Sequence, residues 1–295
     1  MAQLKKLLTT GILLTTGLHQ IAWADPLSYY ANRSSSEHTK MNAQHLQISA
    51  HVFEQKLNHN QTNSPTFSQR YYVDNQYATD ENSPVFLYIC GEATCQASSL
   101  NGAIRQYAQH FHATLVALEH RFYGKSIPTS DLATVHLKTL STDNAIADLA
   151  NFQKYLMRDF KWQGKWIAFG GSYPGNLSAY YRLKHPELVV GAIASSAPVK
   201  AKSNFYEYDQ HVASVIDANC LTNIQTAVST AEALQQSPKQ FEIVKKNFAA
   251  EKIKDSNDFF YLMADIAAAA SPYGLHQHFC SQLSQADSPL TGYAT

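Results

Sequence analysis

Four uninterrupted apolar runs, each the length of a β-strand, set the strongest limit on how this chain can fold. They lie at residues 84–89 (PVFLYI), 113–118 (ATLVAL), 166–169 (WIAF) and 189–194 (VVGAIA). A strand with one face in water alternates apolar and polar residues, whereas a run without alternation reads as a strand covered on both faces. Residues 66–73 (TFSQRYYV) do alternate and read as a half-exposed strand. Helical stretches lie between the runs. Ser141 or Thr142 suits an N-cap, Asp143 suits the positive end of the helix dipole, and Ile146, Leu149, Phe152 and Leu156 follow at helical spacing. Buried strands alternating with helices predict an α/β fold with a mostly parallel sheet covered on both faces.

Composition agrees with a large core and removes other classes. With 45% hydrophobic residues and no net charge, the 295-residue chain buries too much apolar surface to be disordered. A pI near 7.2 argues against a nucleic-acid binder that works through a basic face. No repeat period is visible. Lys5 and Lys6 precede an apolar stretch at 7–18, followed by the small-residue pattern Ala22-Trp23-Ala24 before Asp25-Pro26. This is the layout of a secretory signal peptide over residues 1–24, and its apolar part is too short to span ~30 Å of hydrocarbon. The expected product is an exported, soluble protein without a membrane anchor. Residues 25–50 read as a loose N-terminal arm and 51–200 as the first part of the α/β domain. From about 201 to 295 the chain turns Ala-, Gln- and Lys-rich, with helices expected at 222–235 and 258–270, and reads as a helical cap or insertion.

Export makes Cys90, Cys95, Cys220 and Cys280 disulfide candidates. Three pairings are open; locality favours Cys90–Cys95 and Cys220–Cys280. A metal site is the weaker reading, because no Cys-x-x-Cys spacing occurs and His276-Gln277-His278 beside Cys280 suits a polar helix end. No cofactor is implied, and no feature of the sequence bears on oligomeric state.

The chemistry concentrates in residues 166–186 (WIAFGGSYPGNLSAYYRLKHP), where a buried strand meets Gly170-Gly171-Ser172-Tyr173-Pro174-Gly175 and a helix follows at once. Strand, sharp turn of small residues, Ser, then helix is the nucleophile elbow of an α/β-hydrolase. The turn lifts the Ser172 hydroxyl above the sheet. The helix start supplies unpaired N–H groups and positive potential where an oxyanion would form, and the Tyr173 amide is the first such donor. Pro174 replaces the glycine usual two residues after the serine, a substitution that a first helical turn accepts.

Several motifs occur in the order of one family: 53–59 (FEQKLNH), 66–71 (TFSQRY), 84–92 (PVFLYICGE), 118–126 (LEHRFYGKS), 140–142 (LST), 170–175 (GGSYPG) and 194–199 (ASSAPV). Together they resemble the secreted and lysosomal serine peptidases that include Pro-X carboxypeptidase, dipeptidyl-peptidase II and thymus-specific serine protease, most similarly the last branch. The resemblance implies an α/β-hydrolase domain interrupted by helices, a Ser-Asp-His triad, and peptide substrates containing proline. It carries Ser172 over as nucleophile and Tyr173 as oxyanion donor. Gly91, in the loop after a core strand, is the source expected for a second donor, although Cys90-Gly91-Glu92-Ala93 departs from the family's Gly-Gly-Glu-Gly. Glu119, His120 and Arg121 are expected to form an ion-pair network at the site floor rather than to catalyse.

An acid and a base should follow the serine in the order Ser, Asp or Glu, His. The later acids are Asp209, Asp217, Asp255, Asp258, Asp265 and Asp287, and the later histidines His185, His211, His276 and His278. His185 falls about 13 residues into the following helix, ~20 Å away at 1.5 Å per residue. Family members continue beyond this length, so the expectation is a chain that stops inside the cap, before its triad Asp and His, with strand faces left uncovered. Three functions remain in view: a secreted serine exopeptidase for proline-containing peptides, of carboxypeptidase or dipeptidyl-peptidase type; an inactive fragment or pseudoenzyme; and an esterase of the same fold.

Overall fold

A computed structural model describes residues 48–270 and 274–294. The expected signal peptide lies outside the described residues, as does the expected arm except for its last three residues, of which Ala50 already begins a strand. The described residues divide into two compact units, one ending at Ala201 and the other beginning at Lys202.

The first unit is a six-stranded sheet: β1 (Ala50–Lys56), β2 (Thr66–Asp74), β3 (Val85–Ile89), β4 (Thr114–Leu118), β5 (Trp166–Gly171) and β6 (Val189–Ser195). Its order is β1-β2-β4-β3-β5-β6. β1 and β2 pair antiparallel, as do β2 and β4, while β4, β3, β5 and β6 run parallel. Three helices accompany the sheet: α1 (Ala103–Phe111), α2 (Thr142–Asp159) and α3 (Tyr173–Lys184). Alternate residues of the central strands go to opposite faces, as the pleat requires. Leu87, Ile89, Val116, Leu118 and Ala168 pack with Phe152 and Leu156 of α2 and with Leu177 and Tyr181 of α3. Phe86, Leu115, Ala117 and Phe169 pack on the other face with Ile104 and Ala108 of α1. This mostly parallel sheet with helices on both faces is an α/β fold of the α/β-hydrolase type. Ser141 is the cap of α2, its hydroxyl accepting the Asn144 N–H at 3.3 Å.

Two strands differ from the sequence reading. β6 is not covered on both faces: it pairs only with β5, and Val190 and Ile193 are 51% and 43% exposed. An apolar run records the side chains of a strand but not its neighbours, and here β6 is an edge of the described sheet. β1 has no counterpart among the expected strands because its inward positions are Phe53 and the fully buried Gln55. Gln55 donates to Gln69 Oε1 at 3.0 Å and to the Asp148 carbonyl at 3.1 Å, and accepts from Asn151 Nδ2 at 2.7 Å. A buried amide so fully paired satisfies the interior while erasing the hydrophobic pattern that marks a strand.

The second unit is helical: α4 (Tyr206–Val215), α5 (Ala218–Gln235), α6 (Pro238–Asn247), α7 (Ser256–Ala270), α8 (His276–Gln285) and α9 (Pro289–Tyr293). Asp217 caps α5 by accepting the amides of Asn219 and Cys220. Ile224, Ala227, Phe241, Phe259, Met263, Phe279 and Tyr293 form its core. The Cys220–Cys280 disulfide joins α5 to α8, and Cys90–Cys95 closes the loop after β3. His276 and His278 lie in the first turn of α8. Among the described residues no group of His, Cys, Asp or Glu is placed to hold a metal ion, and no helix is long and apolar enough to cross a membrane.

Phe152 of α2 is wholly buried in the core that this helix shares with the sheet. Phe152→Ala is expected to destabilise the sheet unit by ~3–5 kcal/mol in urea unfolding, from lost burial and the cavity left behind. Replacing both Cys220 and Cys280 with serine opens a link between residues 60 apart and is expected to cost the helical unit about 4 kcal/mol in the same measurement.

Candidate active site

β5 ends at Gly171 and α3 begins at Tyr173, so the chain turns at Ser172. Ser172 has φ 57° and ψ −128°, a conformation L-residues rarely adopt and one that costs on the order of 1–3 kcal/mol. Its amide donates to the Ser195 carbonyl at 2.9 Å, and its carbonyl accepts the Asn176 amide at 3.1 Å. These bonds hold the turn while the residue itself stays exposed. Gly170 permits the turn sterically, since a Cβ there would stand 2.1 Å from the Pro174 carbonyl oxygen. Gly171 is less constrained, its nearest such atom lying 3.9 Å away, while Pro174 and Gly175 are buried in the first turn of α3. Pro174 brings no N–H to a helix start that could not pair it.

The loop after β3 meets this turn directly. A Cβ on Gly91 would fall 2.6 Å from Pro174 Cγ, so its backbone passes against the elbow. The loop is closed by Cys90–Cys95, and the Cys95 amide donates to Glu119 Oε1 at 3.0 Å. Gly91 and Tyr173 therefore follow neighbouring strands, and the loop that carries Gly91 meets the first turn of α3 at Pro174.

Glu119, His120 and Arg121 follow β4 and divide their work. Glu119, fully buried, accepts from Arg70 Nη2 at 2.5 Å, Lys125 N at 2.9 Å and Ser126 Oγ at 2.7 Å, besides Cys95 N. Arg121, also fully buried, donates to Asp148 from Nε at 2.7 Å and from Nη2 at 2.5 Å. Its remaining N–H groups reach the carbonyls of Lys56, Leu57 and Thr139. His120 alone of the three contacts the elbow. Its Nδ1 lies 2.7 Å from the Arg121 carbonyl, which can only accept, so Nδ1 carries the proton. Nε2 is then the acceptor for the Tyr173 hydroxyl at 3.0 Å. Burial lowers the His120 pKa, outweighing the Arg121 carbonyl and the Asp148 charge that favour the cation. Burial also pushes the Tyr173 phenol up to about 12, so it remains the donor.

Asp148 and His59 belong to this cluster, although the sequence reading gives neither a role at the site and His59 enters it only as the last residue of the 53–59 motif. His59 Nε2 stands 2.7 Å from Asp148 Oδ1. The available signal is a charged residue within the apolar stripe of α2, beside the buried Ala145, Ile146 and Leu149. Of the histidines after Ser172, His185 caps the C-terminus of α3 and lies 3.2 Å from Glu187. His211, His276 and His278 and the six later aspartates all lie in the helical unit. Among the described residues, no histidine is hydrogen-bonded to the Ser172 hydroxyl.

Comparison with known proteins gives a consistent set of relatives. A family model described as serine carboxypeptidase S28 matches residues 55–288. The chain is 38% identical over 245 residues to a probable serine protease, EDA2, of Arabidopsis thaliana, covering 79% of this chain and 49% of the relative. It is 38% identical over 185 residues to the thymus-specific serine protease of Mus musculus, covering 59% and 36%. With the lysosomal Pro-X carboxypeptidase of Bos taurus it shares 38% over 161 residues, 52% and 32% of the two chains. The chain thus spans about half or less of the length of these curated relatives. Among solved structures, proline iminopeptidase from Mycobacterium smegmatis aligns over 77% of this chain and 70% of that one, with a TM-score of 0.45 and 12% identity.

The buried, neutral His120 predicts a pH dependence of stability. Its pKa is lower folded than the ordinary 6.5, so the unfolded chain binds the extra proton first as pH falls. Stability is complete above about 6.5 and declines below it. In urea unfolding between pH 7.5 and 5, His120→Gln is expected to flatten this decline. An unchanged slope would locate the effect elsewhere.

Proposed function

Because the chain belongs to the serine carboxypeptidase S28 family, we propose that it is an exported serine-type exopeptidase that cleaves proline-containing peptides through an acyl-enzyme on Ser172. The observation that carries this reading is the strained, exposed Ser172 at the junction of β5 and α3. The hydroxyl oxygen attacks the scissile carbonyl carbon and its proton passes to the triad histidine that the family resemblance implies, a base that no described residue supplies. The carbonyl oxygen becomes an oxyanion, which the Tyr173 and Gly91 amides stabilise as charge develops. Collapse expels the amine with a proton, and water then releases the acyl group from Ser172. Preference for proline follows the names of the Pro-X carboxypeptidases among the relatives. Export follows the pattern at residues 1–24.

In this scheme His120 is a positioning residue. It holds the Tyr173 ring by the 3.0 Å hydrogen bond and thereby the amide next to the nucleophile. One observation favours a second reading, a protein that binds peptides without turning them over. Among the described residues the Ser172 hydroxyl has no histidine partner. Without a base a serine hydroxyl is a weak nucleophile.

A fluorophosphonate probe discriminates between the two. Labelling of the wild-type chain that disappears in Ser172→Ala supports the peptidase. In that case Ser172→Ala is expected to lower turnover of a proline-containing peptide by roughly a millionfold. An unreactive serine in a folded, monodisperse sample supports the binding protein. A short acyl ester hydrolysed faster than any proline-containing peptide would turn the assignment towards an esterase.

A further inference from the structure

The helical unit has a cavity of its own, about 60 Å³, among α4, α5, α7 and α9. The room comes from α7, whose facing residues Ala264, Ala267 and Ala268 form one stripe of side chains that end at Cβ. α4 presents Asp209, Val212, Ala213 and Ile216, spaced i, i+3, i+4 and i+7 and so on one face. The rest of the lining is aliphatic apart from Tyr293, whose hydroxyl already donates to the Met263 carbonyl at 2.6 Å. A buried water needs about two to four polar partners, and this lining offers no such set. Asp209 alone of the described lining residues is charged, and it is half-buried. Among the described residues its carboxylate has no hydrogen-bond or ion-pair partner. Its neighbours at helical spacing are Phe205, Tyr206, Val212 and Ala213, none of them basic, while Lys202 pairs with Glu207. His211, two residues on, is exposed on another side of α4. Burial raises the Asp209 pKa, as expected of a carboxylate that loses water without gaining a cation.

We propose that this cavity binds a small amphipathic amine, with its hydrocarbon chain between the helices and its ammonium on Asp209. The site is independent of the role of Ser172. Its volume is several times the roughly 10–15 Å³ that admits one water, which suits a short alkyl chain. The carboxylate selects the head group. An apolar stretch of protein laid over the cavity would strip water from Asp209 and return no counter-charge. An alcohol would fill the space and leave that charge unmatched, and a fatty acid would set a second negative charge beside it. An alkylammonium meets both requirements at once.

The test is methyl NMR on the full chain, isotope-labelled at alanine and isoleucine and titrated with n-pentylamine, n-pentanol and n-hexanoate. The amine is expected to shift the signals of Ala267 and Ile224 along a saturable curve. Its affinity should exceed that of the alcohol by at least ~5-fold, with hexanoate the weakest of the three. Asp209→Asn is expected to bring the amine within about twofold of the alcohol, while the rest of the methyl spectrum shows the fold intact. Ala264→Leu fills the cavity and is expected to abolish the amine's effect on Ile224. Equal affinities for amine and alcohol, or tighter binding of hexanoate, would overturn the proposal in the wild type alone. So would an amine preference that survives in Asp209→Asn, or a shift at Ile224 that survives in Ala264→Leu. An absence of saturable shifts with every probe, the result if another stretch of protein fills the cavity, would overturn it as well.

Discussion

Arg121 is the constraint on which the sheet unit depends. Its guanidinium has no exposure to solvent and all five of its N–H groups have acceptors: Asp148 twice and the carbonyls of Lys56, Leu57 and Thr139. A buried charge is tolerable only when its partner and its remaining donors are all matched, and this one meets that condition. The partners come from the end of β1, the segment before α2 and α2 itself. One side chain thus joins three stretches that are far apart in sequence. It also fixes its own backbone, and the Arg121 carbonyl is the acceptor that sets the tautomer of His120.

From there the order passes to the elbow. His120, protonated at Nδ1, presents a bare Nε2 to the Tyr173 hydroxyl, and its ring also meets those of Tyr173 and Tyr123 edge to face. Tyr173 is the residue after Ser172, so the strained turn is supported from below by a neutral, half-buried hydrogen bond rather than by a charge. Glu119 acts in parallel on the other loop. It holds the Cys95 amide, and thereby one end of the ring that carries Gly91 and Glu92. The two acidic networks at the floor are internally neutralised. The potential felt at the mouth of the site is therefore set by what remains unpaired on the loops above.

Much of this was legible in the sequence, and the exceptions share a cause. The central strands, the cap at Ser141, the turn at Ser172 and the Cys90–Cys95 pair announce themselves through residues close in sequence, so patterns of period, capping and punctuation find them. β1 and Asp148 do not. Gln55 and Asp148 occupy interior positions where a hydrophobic residue is the usual signal, and their solvation is supplied by partners 14 to 96 residues away. The exposure of β6 is missed for the related reason that an apolar run does not reveal whether a second neighbour pairs with it. What a sequence conceals here is long-range pairing, both of polar groups and of strand edges.

The placement of the site follows from the parallel part of the sheet. β4, β3 and β5 are adjacent and run in one direction, so the loops that follow them emerge at the same edge. Those loops carry Glu119–Arg121, Cys90–Cys95 and Ser172. Nothing in local propensity requires residues 90, 120 and 172 to meet; the strand order does. An antiparallel β3 would send its following loop to the opposite edge and leave Ser172 with its helix but without the glycine that packs on Pro174. The elbow therefore depends on topology as much as on its own glycines, as expected where ligands bind beyond the carboxyl ends of parallel strands.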